Sequence, residues 1–291
     1  PVLLAYSVLP FGKGLVALDL KETGLLFFFS VGAATELSVF MAGWSSRNKY
    51  SLLGGLLAIA QMISYELPLI LSTLPAIMLA GSLSLGEIID AQSGYHPGGL
   101  ARWFVFTPWG LAGLILFTIA ATAESNRAPF DLPEGESEII AGHLVEYSGF
   151  KYAMFFIGEY LGMFAISALG ITLFLGGWRA PVSFLEWVPS YCWFFGKLFG
   201  FIALFIWLRG TLPRLRADQL MNFAWKFMLP LVLINVVVAA LWHYTAGWDF
   251  LGAGVLRWAL GAALIGVPYA WLVRLLYTNQ RLGRRVYRYA T

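Results

Sequence analysis

An all-α polytopic transmembrane bundle is predicted by three features: the composition, the length of the apolar runs and the distribution of charge along the chain. Hydrophobic residues make up 59% and charged residues 12% of the 291 positions, a balance for which lipid rather than water is the natural solvent. A bilayer core about 30 Å thick takes roughly 20 apolar residues as helix, and such stretches follow one another here with short polar interruptions. Backbone groups in hydrocarbon must be satisfied internally, by a helix or a closed barrel. Barrel strands alternate over about ten residues, and runs such as LLFFFSVGAA and LPLVLINVVVAALW do not alternate.

Taken in order, full spans are predicted near residues 22–43, 52–81, 101–123, 152–176, 190–209, 223–244 and 251–275. Seven full spans result, in a single transmembrane domain covering 1–291. Pro1 to Phe11 reads as the end of a further membrane helix that starts upstream, because the chain opens inside an apolar stretch without Met or a basic leader. The second span is longer than a bilayer requires, and Pro68, just after Glu66 and Leu67, is its predicted break.

The formal charge of +3 is too small and too scattered to point to nucleic acid. Its placement is more informative. Counting alternate loops, thirteen Lys and Arg fall on one side and five on the other, with Lys197 inside a span. The longest polar loop, 124–151, lies on the rich side and so faces the cytoplasm, or the matrix of a mitochondrion. Cys192 is the single cysteine, and His96, His143 and His243 lack ligand spacing, so no metal or iron–sulfur site is expected from this chain alone.

Residues 123–160 hold Glu124, Asp131, Glu134, Glu136, Glu138, Glu146 and Glu159, seven of the sixteen acids. Asp131, Pro133 and Glu134 fit a helix start, where acids complement the dipole. That reading leaves out Glu159, which sits in the apolar MFFIGEYLGMF, as well as Glu36 in AATELSVF and Glu66 in MISYELPLI. A carboxylate at such a position costs roughly 3 kcal/mol and normally faces a bundle interior or a wet cavity. Two readings stay open: a proton path from the membrane interior to the acidic loop, or separate polar pins between helices.

The segment AESNRAPFDLPEGESEIIAGHLVEYSG resembles the signature loop of the complex I membrane subunit called the H subunit in bacteria and NADH dehydrogenase subunit 1 in mitochondria. AGWSSRNKYSLLGGL, AQMISYELP, FFIGEY, LFLGGW and FIWLRGTLPRLRADQLMNFAWKFMLPL look like further blocks of that family, in its order, from about Gly24 to Leu231. The resemblance implies a redox-inactive helical subunit of a proton-pumping NADH:quinone oxidoreductase, where the hydrophilic and membrane arms meet. Such a subunit completes the quinone cavity and couples quinone reduction to proton translocation through buried carboxylates.

By motif position the resemblance gives Glu66, Glu124, Asp131, Glu134, Glu136, Glu138, Glu146 and Glu159 coupling roles, with Glu36 added as a shifted member or a polar pin. Arg127, Phe155 and Phe156 fall beside the quinone cavity. Quinone is the implied substrate, and FMN and iron–sulfur clusters would reside in partner subunits. The implied partners are the hydrophilic quinone-reducing subunits at the acidic loop, small neighbouring membrane subunits and lipid. The implied location is the bacterial plasma membrane or the mitochondrial inner membrane.

Three departures accompany the likeness. The family's N-terminal helix and the basic amphipathic segment after it have no counterpart in the sequence. Leu57 stands where the family usually has Arg, and Glu36 stands where it is commonly apolar. The rival expectations are a homologous subunit fed by another electron donor, a stand-alone ion transporter and a purely structural anchor. Arg209, Arg214 and Arg216 read first as headgroup anchors.

Overall fold

The computed structural model describes residues 1–96, 99–131, 142–247 and 253–281. Ten α-helices order the described residues: α1 (Val2–Ala5), α2 (Gly24–Ser45), α3 (Lys49–Ala80), α4 (Leu85–Ala91), α5 (Pro108–Glu124), α6 (Phe150–Phe174), α7 (Ser190–Thr211), α8 (Ala217–Phe223), α9 (Leu229–Tyr244) and α10 (Ala253–Arg281). Among the described residues, six helical runs are long and apolar enough to cross a membrane. These are α2, α3, α6, α7, the continuous run Ala217–Gly247 and α10. The shorter apolar α5 fills the remaining predicted place.

The helices are apolar on their outer faces as well as inside. Leu37, Trp44, Ile206, Trp207 and Val237 are exposed, as lipid-facing residues should be. Gly43 and Gly55 let α2 and α3 approach backbone to backbone, and small residues at such crossings replace the hydrophobic driving force that lipid removes. Helix α3 is the central strut, packing against α2, α5 and α9.

Three expectations about the helices are corrected. Helix α3 runs without interruption from Lys49 to Ala80, through both Pro68 and Pro75. Membrane helices tolerate proline because packed neighbours re-satisfy the freed backbone, and Pro68 and Pro75 are both buried. The third span begins at Pro108 rather than near residue 101, since Thr107 caps the helix through Gly110 N–H and Pro108 occupies its first position. The preceding Phe104–Phe106 forms a 3₁₀ turn. The span expected near 223–244 starts earlier, as α8, and reaches α9 through a π-helical turn, Ala224–Met228.

The two ends of the bundle differ in chemistry. At one end, Lys13 N–H donates to Ser190, Arg179 pairs with Asp90 at 2.7 Å, and Leu100 bridges Val182. Lys197, inside α7, donates from Nζ to the carbonyls of Leu175, Gly177 and Arg179 at 2.7–2.8 Å and lies 4.0 Å over the Trp103 ring. All three of its protons are thereby used to close the turn after α6. The other end gathers the α2–α3 corner, the described parts of the acidic loop and the segment before α8.

Candidate functional site

The α2–α3 corner is bound to the end of the acidic loop. Asn48 caps α3 through Tyr50 N–H and donates from Nδ2 to Glu146 at 2.7 Å. Tyr147 Oη donates to the Ala42 carbonyl and lies 2.9 Å from Ser45 Oγ. Ser51 Oγ donates to the His143 carbonyl, and Gly54 leaves room for nothing but the backbone of Gly142. The 3₁₀ turn Gly142–Leu144 is therefore pressed directly onto α3.

The loop's other end is organised by a residue that sequence reasoning passed over. Gln61, fully buried in α3, donates from Nε2 to the Ala123 carbonyl (3.0 Å), Asn126 Oδ1 (3.2 Å) and the Phe130 carbonyl (2.7 Å). Asn126 turns the chain in the left-handed region (φ 48°), which asparagine tolerates better than most residues. Tyr65, one turn further along α3, packs at a tilt on Phe130 and donates to the Leu220 carbonyl at 2.9 Å. Gln61→Leu is expected to destabilise the assembled protein by about 1–3 kcal/mol, the cost of stranding buried acceptors. A lower midpoint of thermal inactivation in detergent would show it.

This turn carries Glu124 and Arg127 inward. The buried Arg127 lies 3.7 Å from Glu159 of α6 and 4.2 Å over the Tyr160 ring. Asp131 lies 3.8 Å from Arg214. Arg214 thus has a protein partner, beyond the headgroup role read from its position. The helix start read at Asp131, Pro133 and Glu134 falls on residues outside the described ones. Glu134, Glu136 and Glu138 lie outside the described residues.

Three carboxylates from three helices converge: Glu36 (α2), Glu66 (α3) and Glu124 (α5). Glu124 is within electrostatic reach of both Glu36 and Glu66, and Glu36 of Glu66. Glu36 is buried, and its Oε1, like Oε2 of Glu124, has no hydrogen-bond partner among the described residues. Glu146 stands apart, exposed at the α2–α3 corner.

Beside this cluster a cavity of about 350 Å³ opens between α1, α2 and α6. Its walls are mostly apolar, with Phe28, Val31, Met62, Phe155, Leu161 and Ile166. Glu124, Ser125, Asn126, His143 and Glu159 supply the polar end. Of the predicted cavity residues Phe155 lines it, while Phe156 packs on Tyr152. Glu66 is half-buried and, like Arg127, is not among the lining residues.

Burial pushes the His143 imidazole down from the ordinary 6.5 to about 4. The unfolded chain therefore takes up this proton first. The contribution of His143 to stability is complete above pH 6.5 and is lost as pH falls from there through about 4. Inactivation midpoints at pH 7.5 and pH 5 should differ less in His143→Asn than in the parent.

A helical membrane bundle with an acid-walled apolar cavity opening beside three converging carboxylates defines a polytopic membrane protein built around an internal site. Its kinship is specific. The profile of the NADH dehydrogenase family matches residues 1–240. The H subunit of NADH-quinone oxidoreductase from Geobacillus kaustophilus is 50% identical over 240 residues, 82% of this chain and 69% of that protein. Its counterpart from Geobacillus thermodenitrificans is 49% identical over the same length and the same shares of both chains. That of Bacillus cytotoxicus is 45% identical over 241 residues, 83% of this chain and 69% of its own. The chain belongs to the NADH dehydrogenase family. Helix α10 lies beyond the matched residues.

Among the described residues no group of three or more His, Cys, Asp and Glu could hold a metal ion.

Proposed function

We propose that the chain is the membrane subunit of a proton-pumping NADH:quinone oxidoreductase that walls part of the quinone cavity and passes the effect of quinone reduction to buried carboxylates. The observation that carries this reading is the meeting of the apolar cavity with Glu124 and Glu159, with Glu36 and Glu66 in electrostatic reach of Glu124. The volume falls within the range of small-molecule sites, about 300–1,000 Å³. An apolar slot suits a lipophilic ring and tail. Reduction of a quinone takes up two electrons and two protons, and a charged intermediate alters the proton affinity of acids beside it.

Under this reading Glu36, Glu66, Glu124 and Glu159 form the inner part of a carboxylate relay. Asp131, Glu134, Glu136, Glu138 and Glu146 extend it toward the loop. Arg127 holds Glu159 and the turn below Glu124. Electron carriers, FMN and iron–sulfur clusters, belong to partner subunits, since one cysteine cannot ligate a cluster. The hydrophilic quinone-reducing subunits dock at the acidic loop, and small membrane subunits and lipid surround the bundle. The membrane is the bacterial plasma membrane, in keeping with the bacterial relatives.

Gly162 lines the cavity, and a Cβ built there meets no atom within 4 Å. Gly162→Trp in the assembled complex is expected to fill the cavity and cut quinone reduction by about tenfold or more, since a blocked pocket forfeits ligand binding. NADH oxidation with a hydrophilic artificial acceptor should persist. Normal quinone reduction in an assembled Gly162→Trp complex would remove the cavity from the reading.

A further inference from the structure

His143 is a buried polar residue that neither the ion pairs nor the carboxylate cluster employs. The residue is 2% exposed, its ring lies edge-on to Phe155 with centroids 6.0 Å apart, and it lines the cavity with Glu124, Asn126 and Glu159. Its backbone is immobilised: Ser51 holds the carbonyl, and Gly142 abuts Gly54 on the rigid α3. Nδ1 is buried without a hydrogen-bond partner. A buried ring nitrogen left unpaired is unfavourable, and such an exception calls for a functional role or a partner that completes the bond.

Resting on the reading of the cavity as a quinone site, we propose that His143 is its neutral recognition residue, hydrogen-bonding a ring oxygen of the quinone or hydroquinone. A neutral imidazole carries one N–H and one lone pair. In one tautomer it donates to a quinone carbonyl and in the other it accepts from a hydroquinone hydroxyl, the proton passing between its two nitrogens with no change in net charge. Neighbouring carboxylates cannot serve both forms in that way, because an ionised carboxylate only accepts. The imidazole therefore holds the ring in place, while the acids beside it are left to exchange protons. Phe155, packed against the imidazole edge, fixes the plane in which the ring nitrogens point.

The test uses the complete complex in membrane vesicles with a short-tailed quinone, comparing His143→Leu, His143→Gln and Gly162→Trp. One hydrogen bond lost should raise KM by about three- to tenfold in His143→Leu with kcat little changed, and His143→Gln should restore most of it. An unchanged KM in His143→Leu, with quinone reduction abolished by Gly162→Trp, overturns the role of His143 and leaves the cavity reading intact. Equal losses of assembly in His143→Leu and His143→Gln, without a KM effect, make the residue a packing element and also overturn it. Unchanged kinetics in all three variants overturn the cavity reading and this proposal together.

Discussion

Glu124→Gln in the assembled enzyme is expected to lower quinone reduction and proton pumping together by on the order of 10²-fold, the scale of a lost proton-transfer group. Glu124 is where the candidate site is most concentrated: it lines the cavity, it feels Glu36 and Glu66, and it ends the helix that Gln61 ties to the acidic loop. Gln preserves shape and hydrogen-bonding capacity but cannot release a proton. Turnover and pumping followed in the same vesicles decide the matter, with Glu87→Gln, an exposed acid at the opposite end, as the unaffected control. Normal pumping in Glu124→Gln would reduce this residue to a polar pin.

Gly54→Ala is expected to cost about 1–3 kcal/mol, the price of forcing one methyl into a packed contact. The added carbon would overlap the backbone of Gly142, with His143 N close behind. No flexible side chain is available to yield, so the turn Gly142–Leu144 must lift from α3. That displacement moves the cavity's histidine and strains the Asn48–Glu146 and Tyr147–Ala42 bonds. A reduced yield of assembled complex, with the KM for quinone raised in what remains, is the expected result. Gly43→Ala, which meets the Ser51 carbonyl at 3.1 Å rather than an overlapping backbone, should be milder.

Much of this architecture was legible because lipid imposes coarse rules. Apolar runs of span length located the seven spans within a few residues, apart from the later start of α5 and the earlier start, at Ala217, of the run that ends in α9. Acids inside apolar stretches, Glu36, Glu66 and Glu159, stood out because their burial is costly. Neutral polar residues carry no comparable signal. Gln61 and His143 read as ordinary occupants of an apolar helix and a polar loop, and their importance lies in what they touch across 62 residues and in what they leave unpaired. Pro68 misled for the opposite reason. A strong local signal for a break was overridden by the packing around α3, which sequence periodicity does not display.

The placement of Lys197 bears on how the chain enters the bilayer. An ammonium at that position charges α7 a penalty of about 3 kcal/mol if the helix inserts alone. Its three acceptors are supplied by Leu175, Gly177 and Arg179, in the turn that follows the preceding helix. Biogenesis therefore favours α6 and α7 partitioning as a joined pair, with the lysine sealing the hairpin before either helix meets bulk hydrocarbon unaided.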